Sequence, residues 1–316
     1  MIFPYIVVSP AYFSGAVQLG GLMQTASAFN SVQNALSYFI TSYRSIAEWR
    51  AVVQRLTGFQ DALAAGRAAA LTPPAVEVVP QEGEAALVID HLNVRLPAGR
   101  PIVAADNLAV RAGERVLVTG PSGAGKSTLF RALAGIWPFG SGRVTVPKDA
   151  KVMLLPQRPY FPVGTLAAAV SYPTKSGTLD NARIAEALVA VGLPELAGRL
   201  DEEAHWNRML SLGEQQRLGV ARVLLHPPDY LLLDEATASL DEAAEAALYR
   251  LLLERLKGAT IISIGHRSTR GAFHGRRIAL TADDEFYQVR DVTLVSRPSD
   301  GRRVRRGVLE HGPGPM

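Results

Sequence analysis

The 316-residue sequence contains no cysteine. Its absence excludes disulfide bonds, thiolate zinc sites, iron–sulfur clusters and cysteine nucleophiles, and it suits a reducing compartment. The six histidines are scattered and lack the spacing of metal ligands. Glycine and proline, with 28 and 20 residues, are too few for a fibrous or low-complexity chain. With 48% apolar and 20% charged residues, the composition instead predicts a folded protein with a well-filled core.

Charge is also missing from the start of the chain, because Met1–Tyr43 holds no Asp, Glu, Lys, Arg or His. Within it, Leu22–Ile40 is predicted to form a helix of roughly 28 Å, close to the thickness of a bilayer's hydrocarbon core. Polar residues recur every three or four positions along one stripe: Gln24, Ser27, Asn30, Ser31, Asn34 and Ser37. The pattern favours one transmembrane helix over the alternative, a buried helix of a large soluble protein. Arg44, Arg50 and Arg55 follow and place this end on the cytoplasmic side.

Composition then divides the chain into four predicted parts. Residues 1–60 are predicted to hold one membrane helix and a cytoplasmic extension. Residues 61–84 are alanine-rich and then proline-rich, which predicts a linker. Residues 85–297 alternate short apolar runs with helical stretches, the pattern of an α/β domain. Residues 298–316 are predicted to be a disordered basic tail.

Four strands and four helices of the α/β domain are predicted with defined bounds. The strands are Val116–Thr119, Val152–Leu155, Tyr230–Leu233 and Ile261–Ile264. The helices are Lys126–Gly135, Asn181–Val191, Leu212–Leu225 and Glu242–Leu256.

A glycine-rich segment follows the first of these strands and opens the first of these helices, and it fits the P-loop pattern. Its glycines allow backbone N–H groups to curl around phosphate oxygens. Lys126 can neutralise the β- and γ-phosphates, and the Ser127 hydroxyl can ligate Mg²⁺. The residues predicted to bind ATP here are Gly120, Pro121, Ser122, Gly123, Ala124, Gly125, Lys126, Ser127 and Thr128.

Two adjacent carboxylates end the apolar run Tyr230–Leu233. Asp234 is placed to hold Mg²⁺, directly or through water. Glu235 can take the proton of an attacking water. Alone, such a pair is a weak signal, since an acid at a strand–helix turn also stabilises a helix N-terminus. Together with the P-loop upstream, the pair predicts a site that binds and hydrolyses a nucleoside triphosphate.

Further motifs resemble those of ABC-type ATPases. Met209–Arg217 resembles the signature motif of that family and lies just before the acidic pair, where the family places it. Gln157 resembles the glutamine of the Q-loop, Ser239–Asp241 resembles the D-loop, and His266 resembles the switch histidine. The resemblance implies an α/β fold of the P-loop NTPase class, an ABC-type ATPase domain with a helical subdomain.

The resemblance also implies a mechanism that needs two copies of the chain. In such a homodimer, two ATPase domains close on two ATP molecules. The Ser211 hydroxyl and the Gly213 amide of one copy would reach the γ-phosphate that Lys126 of the other copy holds. Gln157 would sense Mg²⁺, and Asp241 would contact the partner. His266 would bind the γ-phosphate and orient the water.

The opening of the chain resembles the end of the permease part of a narrower group of transporters. The segments that carry this resemblance are Phe3–Ile6, Gly20–Gln24, Ala47–Arg50 and Arg55–Phe59. The group includes bacterial importers of peptide antibiotics and vitamin B12 and peroxisomal fatty-acyl transporters. Its members have several membrane helices, so a truncated gene product is expected. The resemblance implies ATP-driven solute transport at a bacterial inner membrane with the ATPase domain in the cytoplasm. The implied partners are membrane lipid and a separately encoded permease part.

Two alternatives differ from the transporter in kind. One is a soluble ABC-type ATPase acting on nucleic acid or ribosomes, which the charge-free opening disfavours because such a machine has no use for it. The other is a folded, ATP-binding fragment that does not transport. The signature also departs from the common pattern, because Glu214 brings a carboxylate near the expected phosphate. We expect Glu214 to point away or to pair, with Arg217 as a candidate partner.

Overall fold

A computed structural model of the protein describes residues 2–71, 74–83, 86–175, 177–265 and 268–292. The chain divides into two compact units between Ala69 and Ala70. The first unit is helical, and the second has the α/β architecture that the sequence predicts. His266 and the predicted basic tail, 298–316, lie outside the described residues.

The helical unit consists of α1 (Phe3–Phe13) and α2 (Leu19–Leu71). The rings of Phe3 and Phe29 lie 5.7 Å apart between their centroids and pack the two helices together. Pro10 lies inside α1, where its missing N–H deprives the carbonyl of Ile6 of its usual backbone donor. The Ser9 hydroxyl donates to that carbonyl instead, over 3.1 Å.

Helix α2 and strand Glu77–Gln81 bear on two predictions, the helix Leu22–Ile40 and the linker 61–84. Leu22–Ile40 is helical as predicted, but the helix continues to Leu71. Alanine has the highest helix propensity, so the alanine-rich start of the predicted linker, 61–84, extends the helix. Residues Glu77–Gln81, also within that linker, form a strand of the α/β unit. The sheet therefore begins before residue 85.

Among the described residues, no helix is both long enough and apolar enough to cross a membrane. That Leu22–Ile40 spans a membrane stays a prediction. The six polar side chains of its stripe lower the mean hydropathy of the stretch.

The α/β unit is built on one large sheet and a two-stranded one. The strands are β1 (Glu77–Gln81), β2 (Ala86–Arg95), β3 (Pro101–Ala105), β4 (Leu108–Arg111), β5 (Arg115–Thr119), β6 (Gly140–Pro147), β7 (Val152–Leu155), β8 (Gly164–Thr165), β9 (Glu203–Ala204), β10 (Tyr230–Asp234), β11 (Thr260–Ile264), β12 (Arg276–Asp283) and β13 (Phe286–Asp291). The helices are α3 (Lys126–Leu133), α4 (Leu166–Ser171), α5 (Asn181–Ala190), α6 (Trp206–Met209), α7 (Leu212–Leu225) and α8 (Glu242–Arg255), with short 3-10 helices at Pro194–Leu196 and Ser268–Phe273. The eight predicted elements are confirmed, and each end lies within two residues of its prediction.

The order of the strands brings the predicted motifs to one edge of the large sheet. The order is β1-β6-β2-β3-β13-β12-β5-β11-β10-β7, and β4 pairs with β2. Strands β5, β11, β10 and β7 are parallel neighbours. Since the carboxyl ends of parallel strands meet at the same edge, the loops that follow β5, β10 and β7 lie close together. These loops carry the P-loop, the acidic pair and Gln157.

Two hydrophobic clusters stabilise the α/β unit. One includes Phe130 of α3 and Val116 of β5 together with the antiparallel strands. The other joins α4, α5, α7 and α8, with the buried Trp206 among them, and it forms the helical subdomain and its contact with the sheet. Both clusters reach the strands that carry the motifs, so the edge described above is held rigidly from both faces of the sheet.

Candidate functional site

The loop between β5 and α3 can be formed only with glycine at two of its positions. Gly125 precedes α3 with φ +83°, and a Cβ there would lie 2.5 Å from Cγ2 of Ile102 and 2.7 Å from Cγ2 of Val103. Gly120 has φ +155°, and a Cβ would lie 3.0 Å from the Cβ of Leu280. The glycine pattern of the sequence therefore reflects close packing of the loop against two other strands.

The side chain of Lys126 folds back over this loop. Only 6% of the residue is exposed. Its Nζ donates to the carbonyl oxygens of Gly120, at 3.0 Å, and Pro121, at 2.7 Å. Burial lowers the pKa of Lys126, and the nearby carboxylates of Glu235 and Asp234 oppose that shift. The ammonium group is therefore fixed at the centre of the glycine-rich loop.

Ser127 and Asp234 join the first turn of α3 to the end of β10. The Ser127 hydroxyl donates to Oδ1 of Asp234 over 2.7 Å. Burial raises the pKa of Asp234, and the hydrogen bond from Ser127 works against that rise. The charges of Arg131 and Lys126 also favour the ionised carboxylate, whereas Glu235 disfavours it. Both predicted magnesium-binding groups thus lie side by side.

Glu235 follows β10 with φ +51°, a left-handed conformation that is uncommon for a residue other than glycine. Strain of this kind persists only where the surrounding structure holds it, and it clusters at functional sites. Here the residue lies on the wall of the same cavity as Lys126 and Ser127. The turn therefore brings the carboxylate pair to the glycine-rich loop.

The cavity has a volume of about 500 Å³. It is lined by Ser122, Gly123, Gly125, Lys126, Ser127, Thr128, Arg131, Pro156, Gln157, Arg158, Asp234 and Glu235. Sequence reasoning found nine of these residues but missed Arg131, Pro156 and Arg158. Arg158 directly follows Gln157, and Arg131 lies on the helix that Lys126 begins, so both could have been noticed. Guanidinium groups are well suited to binding phosphate.

The oxygen donors of this cavity fit Mg²⁺. Within the described part of the chain, no group of three or more His, Asp or Glu side chains could hold a metal ion by itself. Magnesium is commonly bound by one or two carboxylates together with water and substrate phosphates. A hydroxyl, a carboxylate and a side-chain amide, from Ser127, Asp234 and Gln157, supply oxygen ligands of that kind.

The signature segment forms the N-terminus of α7. Ser211 is its N-cap, and its hydroxyl accepts from the backbone N–H of Glu214 over 3.3 Å. The carboxylate of Glu214 reaches back and accepts from the N–H and the hydroxyl of Ser211, over 2.7 and 2.6 Å. These hydrogen bonds from Ser211 lower the pKa of Glu214. The carboxylate is therefore engaged by its own helix cap.

The expected pairing of Glu214 with Arg217 is corrected by the structure. Arg217 donates to the carbonyl of Gly192 over 3.1 Å and favours the Glu214 carboxylate only through its charge. Glu214 joins the capping box rather than an ion pair with Arg217, because it lies three residues after the N-cap, at the spacing that a capping box requires.

The remaining predicted residues lie outside the cavity. Ser211 and Asp241 are exposed, and Gly213 is half-buried. Asp241 is the N-cap of α8, and its carboxylate accepts from the N–H of Ala244 over 2.8 Å. The structure therefore brings the P-loop, Gln157 and the acidic pair together. It leaves Ser211, Gly213 and Asp241 on surfaces away from them.

Comparison with known families agrees with this geometry. The model of the ABC transporter family matches residues 103–238, which include the glycine-rich loop, the signature segment and the acidic pair. The chain therefore carries an ATP-binding domain of the ABC transporter family over these residues. The model of the SbmA/BacA-like family matches residues 1–64. The predicted ABC-type ATPase domain is thereby confirmed.

Individual proteins show the same relationship. An uncharacterized ABC transporter ATP-binding protein of Synechocystis is 37% identical over 293 residues, which cover 90% of this chain and 44% of that protein. The human lysosomal cobalamin transporter ABCD4 is 37% identical over 217 residues, which cover 64% of this chain and 35% of the transporter. The chain thus spans less than half the length of these relatives.

A solved structure shows the likeness in three dimensions. The structure of a bacterial Atm1-family ABC exporter with ATP bound superposes with a TM-score of 0.57 at 27% identity. The superposition covers 68% of this chain and 40% of the exporter chain.

Proposed function

We propose that this chain binds and hydrolyses ATP as the nucleotide-binding part of an ABC transporter that moves a solute across a membrane. The observation that carries the proposal is the convergence of Lys126, Ser127, Asp234 and Glu235 on one cavity, with Ser127 hydrogen-bonded to Asp234. The match of residues 103–238 to the ABC transporter family model supports the same activity.

The glycine-rich loop would hold the triphosphate. Its backbone N–H groups and the positive end of α3 attract phosphate oxygens. Lys126 already donates to carbonyls of the loop, so its ammonium can exchange these partners for the β- and γ-phosphates. Arg131 and Arg158, on the wall of the cavity, would add positive charge near the γ-phosphate.

Glu235 would act as the general base for the attacking water. The left-handed turn after β10 directs the residue toward the cavity, and a carboxylate there can accept the proton of a water molecule. Ser127, Asp234 and Gln157 would hold Mg²⁺, which when bound supplies positive charge beside the phosphates. His266, outside the described residues, is proposed to orient the same water.

A second copy of the chain would complete the site. Ser211 and Asp241 are exposed, Gly213 is half-buried, and none of the three lines the cavity of its own copy, which supports a role in a partner's site. The Ser211 hydroxyl and the N–H groups at the start of α7 form a natural anion-binding end. A nucleotide held by one copy would thus be closed over by the signature segment of its homodimer partner.

The helical unit would belong with the membrane part of the transporter. The match of residues 1–64 to the SbmA/BacA-like family supports this, as does the exposure of large apolar side chains such as Phe13, Phe39 and Tyr43. Such side chains need a partner, which we propose to be lipid or a separately encoded permease part. We place the α/β unit in the cytoplasm at a bacterial inner membrane, consistent with the positions of Arg44, Arg50 and Arg55.

The proposal is tested by titrating the purified chain with ATP and Mg²⁺ and by measuring phosphate release. Lys126→Met should weaken ATP binding by about tenfold to a hundredfold, because it removes the charged donor at the loop. Lys148→Met is the matched control, since that lysine is exposed and pairs with Glu82 just beyond the ends of β6 and β1. Failure of the wild-type chain to retain any nucleotide at millimolar concentration would contradict the proposal.

A further inference from the structure

Four residues of α7, spaced three apart, face the loops of the site. They are Gly213, Gln216, Gly219 and Arg222. Gly213 packs near the D-loop, where a Cβ would lie 3.4 Å from Cδ2 of Leu240 and 3.6 Å from the carbonyl of Ser239. Gly219 packs against the start of the Q-loop segment, where a Cβ would lie 2.9 Å from a methyl group of Leu155. Rows of residues three apart are a natural ridge of a helix surface. The two glycines let this ridge approach both loops closely.

Gln216 lies between these glycines and is 0% exposed. Its side-chain Nε2 donates to the backbone carbonyl of Gln157 over 3.1 Å. Its Oε1 accepts from the backbone N–H of Ser239 over 3.0 Å. The side-chain amide of Gln216 therefore joins the backbone of the Q-loop to the backbone of the D-loop. Gln216 itself belongs to α7, the helix that begins at the signature segment.

The next residue of the row, Arg222, fixes the chain that follows the Q-loop. Its Nη2 donates to the carbonyls of Tyr160, at 3.0 Å, and Ala169, at 2.7 Å. Its guanidinium lies over the rings of Phe161, at 5.1 Å, and Tyr172, at 5.3 Å. The segment beyond Gln157 is therefore fixed to α7 by Arg222, as Gln157 itself is by Gln216.

We propose that Gln216 is a positioning residue that couples the Q-loop to the D-loop during ATP hydrolysis. The inference rests on the proposed function of the cavity. Gln157 lines that cavity, and its backbone carbonyl accepts a hydrogen bond from Gln216. A shift of Gln157 toward bound nucleotide is thus passed through one buried amide to Ser239, which lies two residues from Asp241 on the proposed dimer surface.

Loss of this amide should change turnover rather than nucleotide binding. Gln216 does not line the cavity, so Gln216→Met leaves the phosphate-binding groups in place. It removes both connections and keeps a side chain of similar length. Since small misplacements of catalytic groups can cost about a hundredfold in rate, we expect kcat to fall by about tenfold or more. The KM for ATP should stay within about threefold, because ground-state contacts with ATP are unchanged.

A double-mutant cycle on the full-length chain separates coupling from general damage. If Gln216 acts through the Q-loop, Gln216→Met and Gln157→Ala affect the same step. The double variant should then have a kcat no lower than that of the more damaging single variant. If the two residues acted independently, the fold reductions in kcat of the two single variants would multiply in the double variant.

Thr260→Val is the matched control. Thr260 is also 0% exposed, and its hydroxyl also bridges two backbone groups: it accepts from the N–H of Gly113 and donates to the carbonyl of Arg111. These contacts lie at the opposite ends of the strands from the cavity. We expect Thr260→Val to lower the melting temperature about as much as Gln216→Met does, but to keep kcat within about twofold of the wild-type value.

The outcomes are distinct. If the wild-type chain neither binds nor hydrolyses ATP, the proposed function fails. If the wild-type chain does both, two results would show that the coupling role is wrong. One is a wild-type kcat for Gln216→Met. The other is a double variant whose fold reduction in kcat is the product of the reductions in the two single variants. Should Gln216→Met not fold, Gln216→Asn provides the same test. Its amide lies one methylene closer to the backbone and cannot reach both the Gln157 carbonyl and the Ser239 N–H, so a wild-type kcat in this variant would overturn the inference.

Discussion

The hydroxyl of Ser127 donates to the carboxylate of Asp234 over 2.7 Å, across 107 residues of sequence. This contact ties the first turn of α3 to the end of β10. It works against the rise in pKa that burial causes at Asp234, so it helps to keep an ionised oxygen ligand inside the cavity. The two residues together define the place at which phosphate and metal would meet.

Ser127→Ala should destabilise the chain and weaken magnesium-dependent ATP binding. The change leaves the buried carboxylate of Asp234 without its hydroxyl donor, which costs about 1–3 kcal/mol. Ser171→Ala is the control, because it removes a buried hydroxyl that donates to Ala167 in the helical subdomain. Calorimetric titration with and without Mg²⁺ should show a weaker effect of Mg²⁺ on ATP affinity for Ser127→Ala only. Equal effects in both variants would count against the assignment.

Asp234→Asn should change how stability depends on pH. Burial raises the pKa of Asp234 in the folded chain above its ordinary value of 3.8. The folded state therefore binds the proton of the Asp234 carboxyl more tightly than the unfolded state does. The contribution of this proton to the free energy of unfolding is complete below pH 3.8 and is lost as the pH rises through the raised pKa. Relative to wild type, the melting temperature of Asp234→Asn should be higher near neutral pH, and this advantage should shrink on acidification. A difference that does not vary with pH would contradict this prediction.

The two inner glycines of the loop should respond differently to alanine. Gly123 and Gly125 both have positive φ, of +77° and +83°. A left-handed alanine costs about 1–2 kcal/mol at either site. At Gly125 the added methyl also meets Ile102 and Val103, whereas at Gly123 nothing lies within 4 Å. Denaturant unfolding should therefore show the larger loss, by roughly 1–3 kcal/mol, for Gly125→Ala. An equal loss in both variants would argue against the packing of the loop on β3.

A mixing experiment tests whether the signature segment serves the partner's nucleotide. Ser211→Ala and Lys126→Met should each lose most ATPase activity alone. A heterodimer of the two variants keeps one site in which Lys126 comes from one copy and Ser211 from the other. Random pairing then restores roughly a quarter of the wild-type activity. If both residues belonged to one copy's site, the mixture would show no more activity than the two variants measured separately.

Local pattern was enough to predict most of the α/β unit. The buried runs at β5, β7, β10 and β11 and the capped helix α7 have strong periodicity and clear boundaries, so propensity and tertiary structure agree. The P-loop residues could be predicted because their glycines serve a backbone conformation that few other residues adopt.

Other features depend on contacts that no local pattern encodes. The alanine-rich start of the predicted linker extends α2, and Glu77–Gln81 becomes a strand only by pairing with β6. Arg131 and Arg158 reach the cavity because α3 and the Q-loop approach each other in space. Gln216 could not be singled out from sequence, since its two partners lie on separate loops that only the folded sheet brings together.

The central claim is that Glu235 removes a proton from water at an ATP-binding cavity. Glu235→Gln keeps the shape of the side chain and removes its basicity. Steady-state phosphate release by the purified variant, measured beside its ATP affinity, tests the claim most directly. We expect kcat to fall by about a hundredfold to ten-thousandfold while ATP affinity is retained. Hydrolysis by Glu235→Gln at the wild-type rate would contradict the account.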